Sequence, residues 1–293
     1  MTALQERLAA SERRACRVVS QPRSTQAYRS RCSLGEDALV KRMVELSGVH
    51  VRCGYRMIWA YLVQEGWRVN RKRVYRLWRR EGLKVRTKAR KRRRLGSSEN
   101  SCARRKAEYR NDVWAWDFIH DRTAKGSALK CLSIVDEYTR ECLELEMARS
   151  IKAADVIGIL AGLFRRRGVP RHVRSDNGPE FVAGEIRRWL ERSSVETLYI
   201  ERGSPWENGY AESFGSRLRD EFLNVEEFAD VREAVALAAA WKESYNRERP
   251  HSSLGYRTPA QFAATCVPSG LGALGPSEHT GEDKSLTLIA AGT

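Results

Sequence analysis

A chain of 293 residues with 42% hydrophobic side chains exceeds the usual single-domain length and can bury a real core, so two domains plus tails is the expectation. The formal charge of +16 is unevenly spread: residues 1–110 hold 30 Lys/Arg against 9 Asp/Glu, a balance of +21, which leaves 23 against 28, or −5, for residues 111–293. A basic front third calls for a polyanion, nucleic acid or an acidic membrane surface. No apolar run of about 18 residues and no amphipathic Leu-rich anchor supports the membrane. Met1 to Arg7 lack a signal-peptide apolar region, which with seven scattered cysteines makes a cytoplasmic protein with reduced thiols the expectation. His50 and Cys53 form the only close His/Cys pair, and no second pair completes a zinc site.

From Ala9 to Val19 a short stripe of Ala15, Val18 and Val19 follows a Ser11 cap, and Arg23 to Tyr28 could open a second short helix. This reads either as a small helix-turn-helix or as two surface helices leading into the next unit. Leu39, Met43 and Leu46 then fit one helix, and Met57, Ile58, Tyr61 and Leu62 a second that Gly66 ends. Asn70 caps a third, Arg71 to Glu81, stopped by Gly82. That helix sets Val74, Leu77 and Trp78 on one face and Arg71, Lys72, Arg73, Arg76, Arg79 and Arg80 on the remainder, as a recognition helix in the DNA major groove would. A solvated charged face is the plainer alternative, though six bases with one acid exceed ordinary surface mixing. Lys84 to Arg94, with Arg92 among its eight basic residues in eleven, cannot bury a core; residues 83–110 read as a linker on DNA phosphates or a passive tether. The helical region is thus assigned to 1–82.

After the linker the texture changes. Val113-Trp114-Ala115-Trp116-Asp117-Phe118-Ile119 is apolar at both parities, hence a strand buried on both faces, and Asp117 in its middle asks for a compensating cation. Leu129 to Val135 and Cys142 to Met147 are the next strands, with Asp136 and Glu137 as acids of the turn between them. Ala153 to Arg167 is an amphipathic helix closed by Gly168; a short strand then runs into Ser175-Asp176-Asn177-Gly178. Glu185 to Glu191 is helical and Glu196 to Ile200 is another strand. Three antiparallel-looking strands followed by alternating helix and strand describe a mixed α/β sheet with helices against it, a pattern that leaves several folds open.

Asp176 lies where a strand runs out into a polar loop. Pro205 starts a helix through Leu223 on which Asn208, Glu212 and Arg219 share one face. Packed toward the sheet, that face brings Glu212 near Asp117 and Asp176. Three converging carboxylates require divalent cations, and oxygen ligands favour two Mg²⁺ or Mn²⁺ ions, suited to in-line phosphoryl displacement. Three unrelated surface or capping acids are the alternative.

Trp114-x-x-Asp117-Phe118, Ser175-Asp176-Asn177-Gly178-Pro179-Glu180-Phe181 and Asn208-Gly209-x-x-Glu212-Ser213-Phe214, with 35 residues between the second and third acids, resemble the catalytic core of retroviral-type integrases and DDE transposases. The match is to the second-frame (OrfB) transposases of the insertion sequence three family. Trp241 to Pro259 resembles that family's C-terminal signature, and Gly54-Tyr55-Arg56 with Asn70 to Leu77 its helix-turn-helix segment. The likeness spans about residues 10–262. It implies a ribonuclease-H-like integrase core, a mixed five-stranded sheet flanked by helices, over 111–262, preceded by the basic all-α region.

The resemblance further implies that Asp117, Asp176 and Glu212 bind two Mg²⁺ or Mn²⁺ ions, that Arg219 contacts a phosphate, and that Asn177 and Asn208 hold the site in register. The implied activity is cleavage at element ends and strand transfer through a circular intermediate without ATP. The implied partners are DNA, further copies of the chain as a homo-oligomer on DNA, and the first-frame (OrfA) product, separate or as a frameshift fusion. A non-catalytic DNA-binding or multimerising subunit is the competing reading. Family members usually read Glu-Ser-Phe-Asn-Gly at the third acid, whereas this chain has Glu212-Ser213-Phe214-Gly215-Ser216. The change lies one turn past the acid, and activity is expected to survive it. Residues 263–293, rich in Gly, Ser and Ala, read as a disordered tail.

Overall fold

The computed structural model describes residues 11–27, 35–83, 85, 105–175, 184–199 and 209–266. The chain divides into two compact units, Met1–Val49 and His50–Thr293. In the first, α1 (Glu12–Val18) is capped by Ser11, whose side chain accepts from the Arg14 amide; α2 (Arg23–Ala27) and α3 (Glu36–Val49) follow. Leu39, Met43 and Leu46 are buried on α3, as their spacing predicts. The stripe expected on the first helix is corrected: Ala15 and Cys16 are buried, while Val18 and Val19 are 72% and 47% exposed. The helix ends at Val18, too short for a second turn of the stripe to find a partner.

The second unit begins with α4 (Tyr55–Gln64) and α5 (Arg71–Arg80), which pack through Ile58, Leu62, Val74, Leu77 and Trp78, all buried. Asn70 Oδ1 accepts from the Arg73 amide at 2.8 Å, the expected cap. Trp59 Nε1 donates to the Val69 carbonyl at 2.9 Å and fixes the turn between the helices.

The rest is a five-stranded sheet, β1 (Val113–Arg122), β2 (Ala128–Asp136), β3 (Cys142–Ala148), β4 (His172–Ser175) and β5 (Glu196–Tyr199), in the order β3-β2-β1-β4-β5. β1 to β3 form an antiparallel meander, and β4 and β5 add in parallel to its free side. Parallel pairing needs crossovers, which α6 (Ala153–Arg167) and α7 (Gly184–Arg192) supply. Their buried residues Val156, Leu160, Leu163, Ile186 and Leu190 meet Trp114, Trp116, Leu132, Ile134 and Val173 on one face. The other face carries Ile119, Leu129, Cys131, Val135 and Leu145. It is covered by α8 (Gly209–Leu218, continued by a π-helical turn Arg219–Leu223) and α9 (Val231–Arg247). Chain and sheet close with a 3₁₀ turn (Ser252–Leu254) and α10 (Pro259–Ala264). Central β1, covered on both sides, is the strand the apolar run predicts. Among the described residues no helix is long and apolar enough to cross a membrane.

Asp136 and Glu137 do sit in the β2–β3 turn, but both are buried rather than solvated. Asp136 accepts from the amides of Asn111, Tyr138 and Thr139 at 2.8, 2.8 and 2.9 Å. Burial nevertheless raises its carboxyl pKa, against the pull of those amides. Glu137 accepts from Arg174 Nη1 at 2.9 and 3.1 Å, joining the meander to β4, and Arg174 Nη2 reaches the Arg105 carbonyl at 2.7 Å. A guanidinium so enclosed cannot be rescued by water. Glu137→Ala is expected to cost about 3–5 kcal/mol in urea unfolding; a loss below about 1 kcal/mol would mean that this pair does not hold β4 in place.

Candidate active site

Asp117 is the fifth residue of β1, half-buried after four buried ones, and its register partner is Ser133 on β2, whose hydroxyl donates to the Asp117 carbonyl at 3.3 Å. By strand alternation its side chain shares a face with Ile119, the face that α8 covers. The parallel pairing with β4 ends two residues earlier, at Ala115 opposite Arg174. Asp117 therefore lies just past the last residue of β1 paired with β4.

Glu212 is in the first turn of α8, exposed at its side chain. One turn later Gly215 is buried, and a Cβ placed on it would lie 3.9 Å from Asp117 Oδ2 and 3.3 Å from Ile119 Cδ1. The absent side chain is what allows the helix to rest on the strand at the aspartate. Glu212, three residues before Gly215, is on the same side of the helix. Arg219 follows on that side and donates from Nη2 to the His120 carbonyl at 3.4 Å, so the guanidinium lies along β1 beyond Asp117 with most of its donors uncommitted to that bond. It also opens the π-helical turn, a deformation that often accompanies functional sites.

Cys131, buried on β2, reports the field at this place. Burial pushes its thiol up to about 12, and Asp117, Glu146 and Asp121 push the same way while Arg219 opposes them. Burial above all keeps this soft donor a protonated thiol. What remains to meet a cation is carboxylate oxygen, the donor set of Mg²⁺ and Mn²⁺ rather than Zn²⁺. Among the described residues no three His, Cys, Asp or Glu side chains gather into a metal cluster. Two of the three expected acids, Asp117 and Glu212, are on facing elements. Asp176, Asn177, Asn208 and Arg92 lie outside the described residues, and Ser175, the neighbour of Asp176, ends β4.

On α5, Arg71, Lys72, Arg76, Arg79 and Arg80 are exposed and Arg73 is half-buried, so the basic face is presented to solvent. The guanidinium of Arg71 lies 6.0 Å from the ring centre of Trp59, that of Arg79 lies 5.9 Å from Tyr75, and Arg80 pairs with Glu81 at 2.8 Å.

The C-terminal signature acquires a structural role that spacing alone does not reveal. Trp241 and Tyr245 stack on each other and meet Phe214 edge-on at 5.8 and 5.2 Å, and Trp241 also stacks on Phe222. Asn246 Oδ1 accepts from the Cys142 amide and its Nδ2 donates to the Cys142 carbonyl, both at 2.8 Å, as a strand neighbour would. Arg249 grips Glu221, in the π-helical turn, with two bonds of 2.6 Å. Thr258 and Gln261 form a capping box on α10 with Pro259 in its first turn. The motif therefore holds α8, and with it Glu212, against the sheet. A sequence signal existed in the aromatic spacing of Phe214, Phe222, Trp241 and Tyr245, but their partners lie on another helix.

His251 is buried beside this clamp, and burial first, then Arg217, Arg249 and Arg140, push it down to about 3. An unfolded chain takes up that proton near the ordinary 6.5. The stabilisation from keeping the ring neutral is therefore complete above pH 6.5 and is lost as pH falls toward 3, by about 1.4 kcal/mol per pH unit at its steepest. His251→Gln should flatten this part of the profile in urea unfolding between pH 7.5 and 5; parallel profiles for wild type and variant would refute the assignment.

Residues 107–205 and 193–259 match family models described as integrase core domain, and residues 35–93 one described as an HTH-like domain. The catalytic core of HTLV-2 integrase, solved with magnesium, is similar in 53% of this chain and 97% of its own, at 16% identity and a TM-score of 0.43. The InsD transposase of insertion element IS2 from Escherichia coli is 28% identical over 83% of each chain. An uncharacterized 31.7 kDa protein of insertion element IS407 from Burkholderia multivorans is 39% identical over 90% of this chain and 94% of that protein. With an HTH-like segment ahead of an integrase core, the chain belongs to the insertion sequence three family of transposases.

Proposed function

We propose that this transposase binds the ends of its mobile element and catalyses divalent-metal-dependent strand cleavage and strand transfer, with Asp117, Asp176 and Glu212 as the metal-holding acids. The observation that carries the reading is the close seating of the Glu212 helix on β1, where Gly215 brings it to the Asp117 carboxylate. Covalent geometry supports the third acid: consecutive Cα atoms are about 3.8 Å apart, and Ser175 ends the strand beside β1. When bound, a pair of Mg²⁺ or Mn²⁺ ions activates an attacking oxygen and stabilises the leaving one during in-line displacement at phosphorus.

The protein's own part is placement. Asp117 supplies a carboxylate fixed by the central strand, and Glu212 one that arrives with α8. Arg219, parallel to β1, offers guanidinium donors to a phosphate of the reacting strand. Asn177 and Asn208 hold the site in register. The first reaction frees a 3′-hydroxyl at the element end, and the second drives that hydroxyl into another phosphodiester. In the first step water replaces the 3′-oxygen at phosphorus, leaving a 5′-phosphate and the 3′-hydroxyl; in the second that hydroxyl replaces the 3′-oxygen of another phosphodiester, one P–O bond forming as one breaks, so no nucleotide is consumed. Arg71, Lys72, Arg73, Arg76, Arg79 and Arg80 on α5 bind the element end, with Arg92 and the rest of 83–110 following the backbone as a linker between the 1–82 region and the 111–262 core. Two ends must be joined in one event, which favours a homo-oligomer on DNA.

The test is strand transfer on end-containing DNA with Mg²⁺ or Mn²⁺, with and without the first-frame product. Asp117→Asn, Asp176→Asn and Glu212→Gln should each lower the rate at least about 100-fold while leaving end binding intact. Undiminished transfer in any one removes that residue from the site, and a wild-type protein that binds ends yet stays inert with either metal is a non-catalytic binding subunit. Gly215→Val should lower transfer by roughly 100-fold through misplacement of α8, whereas Gly215→Ala should change stability by less than about 1 kcal/mol, its helix propensity offsetting the tight contact with Ile119. Equal activity of the valine variant would show that the helix need not lie flush on the strand.

A further inference from the structure

α8 has a second working side. Away from Asp117, its residues Tyr210, Ser213 and Arg217 line a cavity of about 180 Å³ closed by Arg140 and by the turn His251 to Ser253. That volume is below the roughly 300–1,000 Å³ of clefts that enclose a small organic ligand. The Arg140 guanidinium lies 3.7 Å from the ring centre of Tyr210. Its Nε and Nη1 are buried and have no hydrogen-bond partner among the described residues. Arg217 has no ion pair or hydrogen bond among the described residues. No carboxylate lines this cavity; of the two in the adjoining cavity that Arg217 also lines, Asp220 and Glu221, Glu221 is committed to Arg249 through both oxygens.

Buried N–H groups of a cation are rarely left unpaired, because the guanidinium keeps its desolvation cost without return. A structural arginine would have been given a carboxylate. Instead, over a floor that includes Val135 and Phe214, the cavity gathers two guanidinium groups without an ion pair among the described residues and the hydroxyls of Ser213, Ser252 and Ser253, all three serines being exposed. Ser253 Oγ is 2.9 Å from His251 Nδ1, and that imidazole is held neutral by burial and, after it, by the surrounding arginines, so it shares a hydrogen bond without adding charge. Fixed positive charge, hydroxyl donors, open access and a volume suited to a single group describe a receptor for one tetrahedral oxyanion.

We propose that the cavity between the Tyr210–Ser213–Arg217 side of α8 and the His251–Ser253 turn binds one backbone phosphate of DNA, held by Arg140 and Arg217. The identity of that phosphate as DNA's rests on the functional reading above, since Ser213 directly follows Glu212 and a strand engaged at the acid passes beside the cavity mouth. A free phosphate ion would satisfy the same donors, and the experiment separates the two sources.

The full-length protein is used without divalent metal, so that binding is read apart from chemistry. Duplex DNA carrying the element end is titrated across salt concentrations for wild type, Arg217→Gln and Ser213→Asp, and the slope of log K against log salt is compared. Inorganic phosphate is added separately in a thermal-shift assay at constant ionic strength. Loss of one phosphate contact lowers the slope by about 0.9. The proposal expects that decrease in both variants, and phosphate stabilisation of the wild type alone. If Arg217→Gln does not fold, the exposed Ser213→Asp decides, since its added carboxylate occupies the guanidinium donors. A slope unchanged in a folded variant overturns the proposal. If phosphate still stabilises the wild type in that case, the cavity is a free-anion site instead. A wild type that binds no DNA would sink the functional reading along with this one, whereas DNA binding with an unchanged slope sinks this one alone.

Discussion

The seating of α8 on the central strand is the contact on which everything else depends. A carboxylate on a helix and one on a strand can share ions only if the two backbones are held to within a few tenths of an ångström, and a helix ten residues long does not hold itself. The docking force is the apolar cluster of Phe214, Leu218, Phe222, Phe228, Trp241 and Tyr245 against Ile119, Cys131 and Val135. Edge-on and stacked rings of this kind contribute about 0.5–1.5 kcal/mol per pair beyond the area they bury. Arg249 then pins the far end through Glu221, and Asn246 ties α9 to the start of β3. Residues separated from the acids by up to 132 positions, from Asp117 to Arg249, thus set the geometry of the acids.

Two kinds of buried charge coexist in this sheet, and the difference between them is informative. At the end of β4 near Asn111, charges are matched within the protein: Arg174 by Glu137, and Asp136 by three amides. Beside Asp117, the buried Cys131 thiol feels the acids Asp117, Glu146 and Asp121 on one side and Arg219 on the other. The first arrangement is complete in the folded chain and contributes to joining β4 to the meander. The second lies at the proposed metal site, where a bound cation would interact with the carboxylates.

Much of this was legible in the chain itself, and the exceptions have physical causes. The strand at 113–119 declares itself because apolar residues occupy both parities, which only a strand covered on both faces needs. Helices α4 to α6 declare themselves through period and through Asn70, Gly82 and Gly168 at their ends. The stripe on the first helix failed because seven residues give a period too little length to be distinguished from chance. Asp136 and Glu137 were readable as turn acids, but nothing in their own neighbourhood predicts their burial; their partners Asn111 and Arg174 lie 25 and 37 residues away. The residues of the C-terminal signature were visible as a pattern, yet their task was not, since it consists of contacts with Phe214, Glu221 and Cys142. Gly215 stood out only as a departure, and the strand beneath it explains the departure.

α8 also resolves how an acidic site can work on a polyanion. A strand bearing one negative charge per phosphate is repelled by Asp117 and Glu212 unless cations intervene, and the +21 balance of residues 1–110 lies ahead of the core rather than in it. The core itself, at −5 over residues 111–293, cannot attract DNA by net charge. It can do so locally, because Arg219 lies on the side of α8 that faces β1, while Arg217, two residues away, opens on the cavity that Arg140 shares. Residues two apart on a helix point in different directions. One helix thereby separates the side of the proposed metal-holding Glu212 from the side on which Arg217 and Arg140 are proposed to meet phosphate, and a single element sets the distance between them.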